Sequence, residues 1–104
     1  METRIESLKK MLSENPEDDF LNYAFALELS KNNFSEALKI LVNLLKKKPN
    51  YLATYFQLGH FYEQNQEPEK AILIYKRGME VAKIQKNQKT FSELNEAFQQ
   101  LSDD

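Results

Sequence analysis

Two stretches decide the fold, Tyr55-Phe56-Gln57-Leu58-Gly59-His60-Phe61-Tyr62 and the downstream Ala71-Ile72-Leu73-Ile74-Tyr75. Tyr55, Leu58, Gly59 and Tyr62 follow helical spacing, so they share one stripe of one helix. A glycine inside a helix costs about 1 kcal/mol relative to alanine. We therefore expect a neighbouring helix to come close at Gly59. Small residues on the next segment, Ala71 and Gly78, predict that the two helices form a tight antiparallel pair with interleaved aromatic side chains.

The spacing resembles the tetratricopeptide repeat, a helix-turn-helix unit of about 34 residues. That pattern has a bulky aromatic residue, Leu-Gly and Tyr on its first helix, then Ala and another aromatic residue on its second. The matching positions are Tyr55, Leu58, Gly59, Tyr62, Ala71 and Tyr75. The proline that closes the family pattern is absent, because Lys83 occupies its place. The resemblance covers residues 52–85 and implies an all-α, right-handed α-solenoid of antiparallel helix pairs.

An earlier segment repeats the pattern more weakly. Ala37 precedes Ala71 by the repeat length of 34 residues, Pro16 precedes Pro49 by 33, and Asn22 stands where the second unit has Tyr55. We expect one domain in four parts: an N-terminal half-repeat helix (3–15), a first repeat (17–49), a second repeat (50–87) and a C-terminal capping helix (88–104). Two units and two half units make a short stack, which could gain stability by self-association.

About six helices are predicted, at roughly 3–14, 17–31, 34–47, 50–65, 67–87 and 90–102. Three pairs of residues fit capping boxes at helix starts: Thr3 with Glu6, Asn33 with Glu36, and Thr90 with Glu93. Pro16, Pro49 and Pro68 are expected to open helices. Asn32-Asn33 predicts a turn with left-handed backbone. The tail Ser102-Asp103-Asp104 is expected to fray.

Composition limits the class of protein. The chain has 104 residues, of which 41% are hydrophobic and 29% charged, which is typical of a folded globular domain. It contains no cysteine, so disulfides and thiolate zinc sites are excluded. A net charge of −2 gives no strong field for nucleic acid or an anionic membrane. No apolar run approaches membrane-spanning length and no apolar signal region is evident, so we expect a cytoplasmic protein.

Catalytic signals are missing from the sequence. The sole histidine is His60, and no convergent metal ligands accompany it. There is no phosphate-binding loop, glycine-rich fingerprint or His-Glu-x-x-His motif. Asp103 and Asp104 lie in a tail that nothing preorganises. We therefore expect neither an enzyme nor a bound cofactor or metal.

The resemblance implies a binding role, because the first helices of successive units line a concave groove in that family. The matching groove positions are Phe20, Tyr23, Leu27, Ser30 and Lys31 in the first unit, and Ala53, Phe56, His60, Glu63 and Gln64 in the second. Aromatic anchors with adaptable polar neighbours suit a peptide or a short helix. The alternative is that Phe20, Tyr23 and Leu27 are buried under the first helix and Phe56 against the last.

Three functions follow, in decreasing order of support. The first is a protein-interaction module that binds an apolar or aromatic segment. The second is a self-associating structural protein, a homodimer whose groove is filled by its own chain. The third is an RNA-binding helical array, which an acidic chain fits badly. Family members that clamp acidic chaperone tails place Lys and Asn at groove positions. Tyr23 and Leu27 stand there instead, so no such carboxylate clamp is expected.

Overall fold

The computed structural model describes residues 3–102, which form six α-helices and no strand. The helices are α1 (Arg4–Glu14), α2 (Asp19–Leu29), α3 (Phe34–Lys47), α4 (Ala53–Gln64), α5 (Pro68–Ile84) and α6 (Gln88–Ser102). The predicted all-α class is confirmed. Asp103 and Asp104, which were predicted to belong to a frayed tail, lie outside the described residues.

The helices group into two compact units, one up to Tyr51 and one from Leu52 onward. In the first unit α2 packs against both α1 and α3. Its apolar core consists of Leu8, Ala24, Ala26, Ala37, Leu41, Leu44 and Leu45. In the second unit α5 packs against both α4 and α6, and α4 also touches α6. Its core consists of Tyr55, Leu58, Phe61, Ala71, Ile74, Tyr75, Ala82, Leu94 and Ala97.

Most of the repeat positions identified from the sequence are core residues. Tyr55, Leu58, Ala71, Tyr75 and Ala37 are all buried. Two differ. Tyr62 is half-buried, with the Lys70 ammonium 5.6 Å from its ring centroid, and Pro49 is exposed in the segment that precedes α4.

Two aromatic rings pack reciprocally against two glycines and so join α4 to α5. A Cβ atom at Gly59 would lie 2.1 Å from Cε1 of Tyr75, and one at Gly78 would lie 2.7 Å from Cβ of Tyr55. The close approach predicted at Gly59 is therefore confirmed. Its partner is a ring, however, not another small residue, because each helix inserts a tyrosine where the other has a glycine.

Helix caps follow the sequence at two starts and depart from it at one. The backbone N–H groups of Glu6 and Glu36 donate to the side-chain oxygens of Thr3 and Asn33, each at 3.2 Å, as predicted. The predicted cap at Thr90 is wrong. Helix α6 begins at Gln88, and the Thr90 N–H donates to Oδ1 of Asn87 at 3.0 Å. The start of α2, for which no cap was predicted, is capped by the Asp18 carboxylate, which accepts from the Leu21 N–H at 2.9 Å.

Prolines 16 and 49 lie before helices α2 and α4, not inside their first turns as predicted. Each follows a residue whose carbonyl closes a turn: Asn15 accepts from Asp18 N at 3.2 Å, and Lys48 accepts from Tyr51 N at 3.1 Å. This tighter turn therefore stands where a first helical turn was predicted at Pro16 and Pro49. Pro68, by contrast, opens α5 as predicted.

The left-handed backbone predicted at Asn32-Asn33 is found elsewhere. Asn33 has φ −146°, whereas Gln66 and Lys86 each have φ 60°. Both residues follow a helix C-terminus, where the next N–H turns back to the helix: Glu67 N donates to Tyr62 O at 2.8 Å, and Asn87 N to Ala82 O at 2.9 Å. This is the Schellman arrangement, which needs a left-handed residue after the cap.

Candidate functional site

The aromatic pair Phe56 and His60 lies one turn apart on α4, and both rings adjoin the buried ring of Tyr75, with centroid distances of 6.4 and 6.2 Å. Their ring centroids are 4.5 Å apart and the rings meet edge to face. Both residues are half-buried, and 45% of the His60 side chain is exposed. Helical spacing of four residues places the two rings side by side. The pair therefore packs partly against the core and keeps part of its aromatic surface exposed.

Helix α6 supplies the opposite wall of a cleft above this pair. The cleft has a volume of about 250 Å³. Its lining residues are Phe56 and His60 from α4 with Glu93, Glu96, Ala97 and Gln100 from α6. The α6 residues recur at intervals of three and four, so they share one helix face. The cleft thus has an aromatic wall facing a wall that carries two carboxylates.

A third carboxylate, Glu63, lies beside His60 and is held in place by the buried Tyr75. The Tyr75 hydroxyl donates a hydrogen bond to Oε2 of Glu63, and Nδ1 of His60 lies 3.7 Å from the same oxygen. Burial, together with this hydrogen bond and the Glu63 charge, raises the pKa of Tyr75 well above its usual range. Tyr75 therefore remains protonated and orients Glu63 toward the histidine.

The protonation state of Tyr75 limits the chemistry open to this arrangement. Tyr75 is fully buried and is a poor nucleophile while it keeps its proton. Within residues 3–102, no group of three or more His, Asp or Glu side chains is placed to hold a metal ion.

The structure places the remaining second-unit residues of the predicted groove on the same helix as the aromatic pair. Ala53 is half-buried and opens α4, while Gln64 is exposed and ends it. Neither lines the cleft. Phe56, His60 and Glu63 are therefore brought together, and Ala53 and Gln64 lie apart from them.

In the first unit, the predicted groove residues lie on or just after α2 and are partly covered. Tyr23 is half-buried, and its ring meets the Tyr51 ring edge on at a centroid distance of 6.0 Å. Leu27 is half-buried, and its carbonyl accepts a hydrogen bond from the Ser30 hydroxyl at 2.7 Å. Lys31 is exposed, with Nζ 3.1 Å from Oε1 of Glu28.

Phe20, another of the predicted groove residues, is exposed, with 58% of its surface open. The alternative in which Phe20 is buried under α1 is therefore wrong. Tyr23 and Leu27 fall between the two expectations, because each is neither buried nor fully exposed.

Sequence reasoning missed the α6 wall of the cleft. It treated α6 as a capping helix and placed Phe56 against it only in the alternative, without predicting polar residues there. The buried residues of α6 are Leu94 and Ala97, and Glu93, Glu96 and Gln100 lie beside them on the cleft. The spacing of these polar residues along one helix face was the available signal.

A larger cavity lies at the other end of α6. It has a volume of about 650 Å³, and its lining residues are Ala82, Lys83, Lys86, Asn87, Gln88, Phe91 and Ser92. Most of these are exposed polar side chains around the α5–α6 turn. It lies at the α5–α6 turn, and none of the predicted groove residues lines it.

No family model matches the chain, and no curated protein matches it. Solved structures do. The solution structure of a tetratricopeptide repeat domain protein from Salinibacter ruber is 40% identical, with a TM-score of 0.81, over 84% of this chain and 89% of that one. A crystal structure of the tetratricopeptide repeat domain protein from the same organism is 39% identical, with a TM-score of 0.76, over 81% of this chain and 94% of the other.

A third solution structure, of a protein from Bordetella parapertussis, shares only the fold. It is 21% identical, with a TM-score of 0.83, over 98% of this chain and 90% of that one.

The chain belongs to the tetratricopeptide repeat family, as the likeness to the Salinibacter ruber protein shows. The predicted family and the all-α helical repeat fold are thereby confirmed. Domains of this family are in general protein-interaction modules and are typically non-catalytic. Over residues 3–102, no helix combines the length and the apolar character needed to cross a bilayer.

Proposed function

We propose that this protein binds a segment of a partner protein, with the α4–α6 cleft as part of the docking surface. The observation that carries the proposal is the Phe56–His60 pair, which is half-buried and presents its remaining ring surface at the cleft. Aromatic side chains in such positions are the usual anchors of protein interfaces.

The size of the cleft favours a polypeptide over a small molecule. Sites for small molecules have volumes of about 300–1,000 Å³, whereas this cleft measures about 250 Å³ and is open to solvent. Such a space suits one or two side chains that project from a peptide or a short helix. The bound segment is apolar or aromatic where it meets Phe56.

In this proposal Tyr23, Leu27 and Lys31 form the equivalent surface of the first unit. Tyr23 occupies the repeat position of Phe56, and Leu27 that of His60. Neither Tyr23 nor Leu27 carries the amine or amide that a carboxylate clamp requires. The partner is therefore not an acidic chaperone tail. We assign the protein no catalytic, nucleic-acid or membrane role, and we place it in the cytoplasm.

A homodimer is the alternative, and exposed apolar side chains favour it. Leu73 and Ile84 on α5 are 61% and 81% exposed. Light scattering over a concentration range separates the two functions. A monomer at all concentrations supports partner binding, and a dimer that dissociates when Leu73 and Ile84 are both changed to alanine supports self-association.

The direct test is selection of random dodecapeptides displayed on phage against the immobilised protein. A variant with Tyr23→Ala and Phe56→Ala should keep its helical circular dichroism and lose the selected peptides. Leu73→Ala with Ile84→Ala is the matched control, because it also removes two large side chains but leaves the cleft intact. Peptide capture that survives loss of Tyr23 and Phe56 would overturn the proposal.

A further inference from the structure

We propose that the partner segment carries a positively charged side chain, preferably arginine, and that the α4–α6 cleft binds it. This inference rests on the proposed function and specifies the chemistry of its partner. It follows from which charges border the aromatic pair.

The charges at the cleft all have one sign. Glu93 and Glu96 line it from α6, and both are exposed. Neither forms a salt bridge with another residue in the range 3–102. Lys89 lies one turn before Glu93 on α6 but is not among the lining residues. No lysine or arginine lines the cleft to offset the two carboxylates.

The α4 wall of the cleft also favours a positively charged side chain. Phe56 and His60 present ring surface to the cleft, and the Glu63 carboxylate lies behind His60, 3.7 Å from Nδ1. An arginine side chain fits both walls, since its planar guanidinium stacks on aromatic rings and pairs with carboxylates in a fork. A lysine makes the charge contact without the planar match. An acidic segment would be repelled by both walls.

The peptide selection described above tests this preference separately from the proposed function. Peptides selected by the wild-type protein should be enriched in arginine next to an apolar or aromatic residue. Selection by a Glu93→Gln, Glu96→Gln variant should lose the arginine enrichment but keep the apolar one. Peptides that depend on Phe56 yet show no arginine enrichment would overturn this inference and leave the proposed function standing. If no peptide depends on Phe56, both are overturned.

The affinity of one selected arginine peptide gives the quantitative test. Two solvent-exposed ion pairs contribute little each, so the Glu93→Gln, Glu96→Gln variant should bind about fivefold to tenfold more weakly, and its binding should depend less on salt. The matched control is Glu69→Gln with Glu80→Gln, which changes the net charge equally on exposed positions of α5 outside the cleft. An equal loss of affinity in this control would show that only overall charge matters and would overturn the inference.

Discussion

The reciprocal packing of α4 and α5 predicts the effect of a single methyl group. In Gly59→Ala the new Cβ would lie 2.1, 2.6 and 2.7 Å from three ring atoms of Tyr75, whereas ordinary contacts begin near 3.4 Å. The ring must therefore move by more than 1 Å. It is fully buried, and its hydroxyl is bonded to Glu63, so it has no open space to enter.

Two effects of opposite sign decide the result. Overpacking of this kind costs about 1–3 kcal/mol, and the tight surroundings of Tyr75 place Gly59→Ala at the upper end. Alanine returns about 1 kcal/mol of helix propensity. The free energy of unfolding should therefore fall by about 2 kcal/mol. If helix propensity were the larger effect, the free energy of unfolding would instead rise by about 1 kcal/mol.

Urea unfolding followed by circular dichroism measures this change through the transition midpoint. The rescue variant is Gly59→Ala with Tyr75→Leu, in which the methyl group should cost at least 1 kcal/mol less than it does beside the tyrosine ring. Gly78→Ala, whose Cβ would lie 2.7 Å from Cβ of Tyr55, should destabilise as well. A Gly59→Ala protein as stable as the wild type would refute the steric explanation. So would a methyl group that costs the same in the wild-type and the Tyr75→Leu backgrounds.

Three further predictions concern stability. Gln66→Gly and Lys86→Gly should each raise the free energy of unfolding by about 0.5–1 kcal/mol, because glycine adopts their left-handed backbone without strain; Lys86→Ala in the same urea assay should give no such gain. Thr54→Val should raise the melting temperature by about 4–8 °C, since the hydroxyl of Thr54 is buried with no hydrogen-bond partner among residues 3–102 and removing it avoids a cost of about 1 kcal/mol; an unchanged or lower melting temperature would contradict this. Because the pKa of Tyr75 is raised in the folded state, Tyr75 keeps its proton at pH values where the unfolded state loses it. The contribution of Tyr75 to the free energy of unfolding is therefore complete below pH 10 and falls above it by up to about 1.4 kcal/mol per pH unit. Unfolding measured between pH 9 and pH 11 should therefore show a shallower alkaline decline in Tyr75→Phe than in the wild type, and parallel declines would contradict the assignment.

Helix existence could be predicted from the sequence because the signals were local and redundant. The stripe of Leu58 and Gly59 indicates the interior of a helix, and the caps at Thr3 and Asn33 and the proline at Pro68 each indicate a helix start. Helix starts were less predictable where proline was ambiguous. Pro16 and Pro49 suit a first helical turn and a preceding β-turn equally well. The hydrogen bonds of the neighbouring residues, which the sequence does not show, decide between the two.

The cleft was half-predictable for a similar reason. Phe56 and His60 were predicted from their place on one helix and from the family resemblance. Glu93 and Glu96 face them only because α4 touches α6, which is a tertiary contact between helices that are not consecutive. Local spacing showed that the two glutamates share a face but gave no information about what that face meets.

The two tyrosine–glycine contacts fix the axial position of α5 along α4. Sliding α5 by one helical turn, about 5.4 Å, would move Tyr75 off Gly59 and press its ring against residues that carry a Cβ. Because the two contacts run in opposite directions, from α5 to α4 and from α4 to α5, no single substitution would let α5 pack one turn further along α4. We therefore expect sequence change here to be concerted: loss of Gly59 should be accompanied by a smaller residue at Tyr75, and loss of Gly78 by changes at Tyr55 and Leu94.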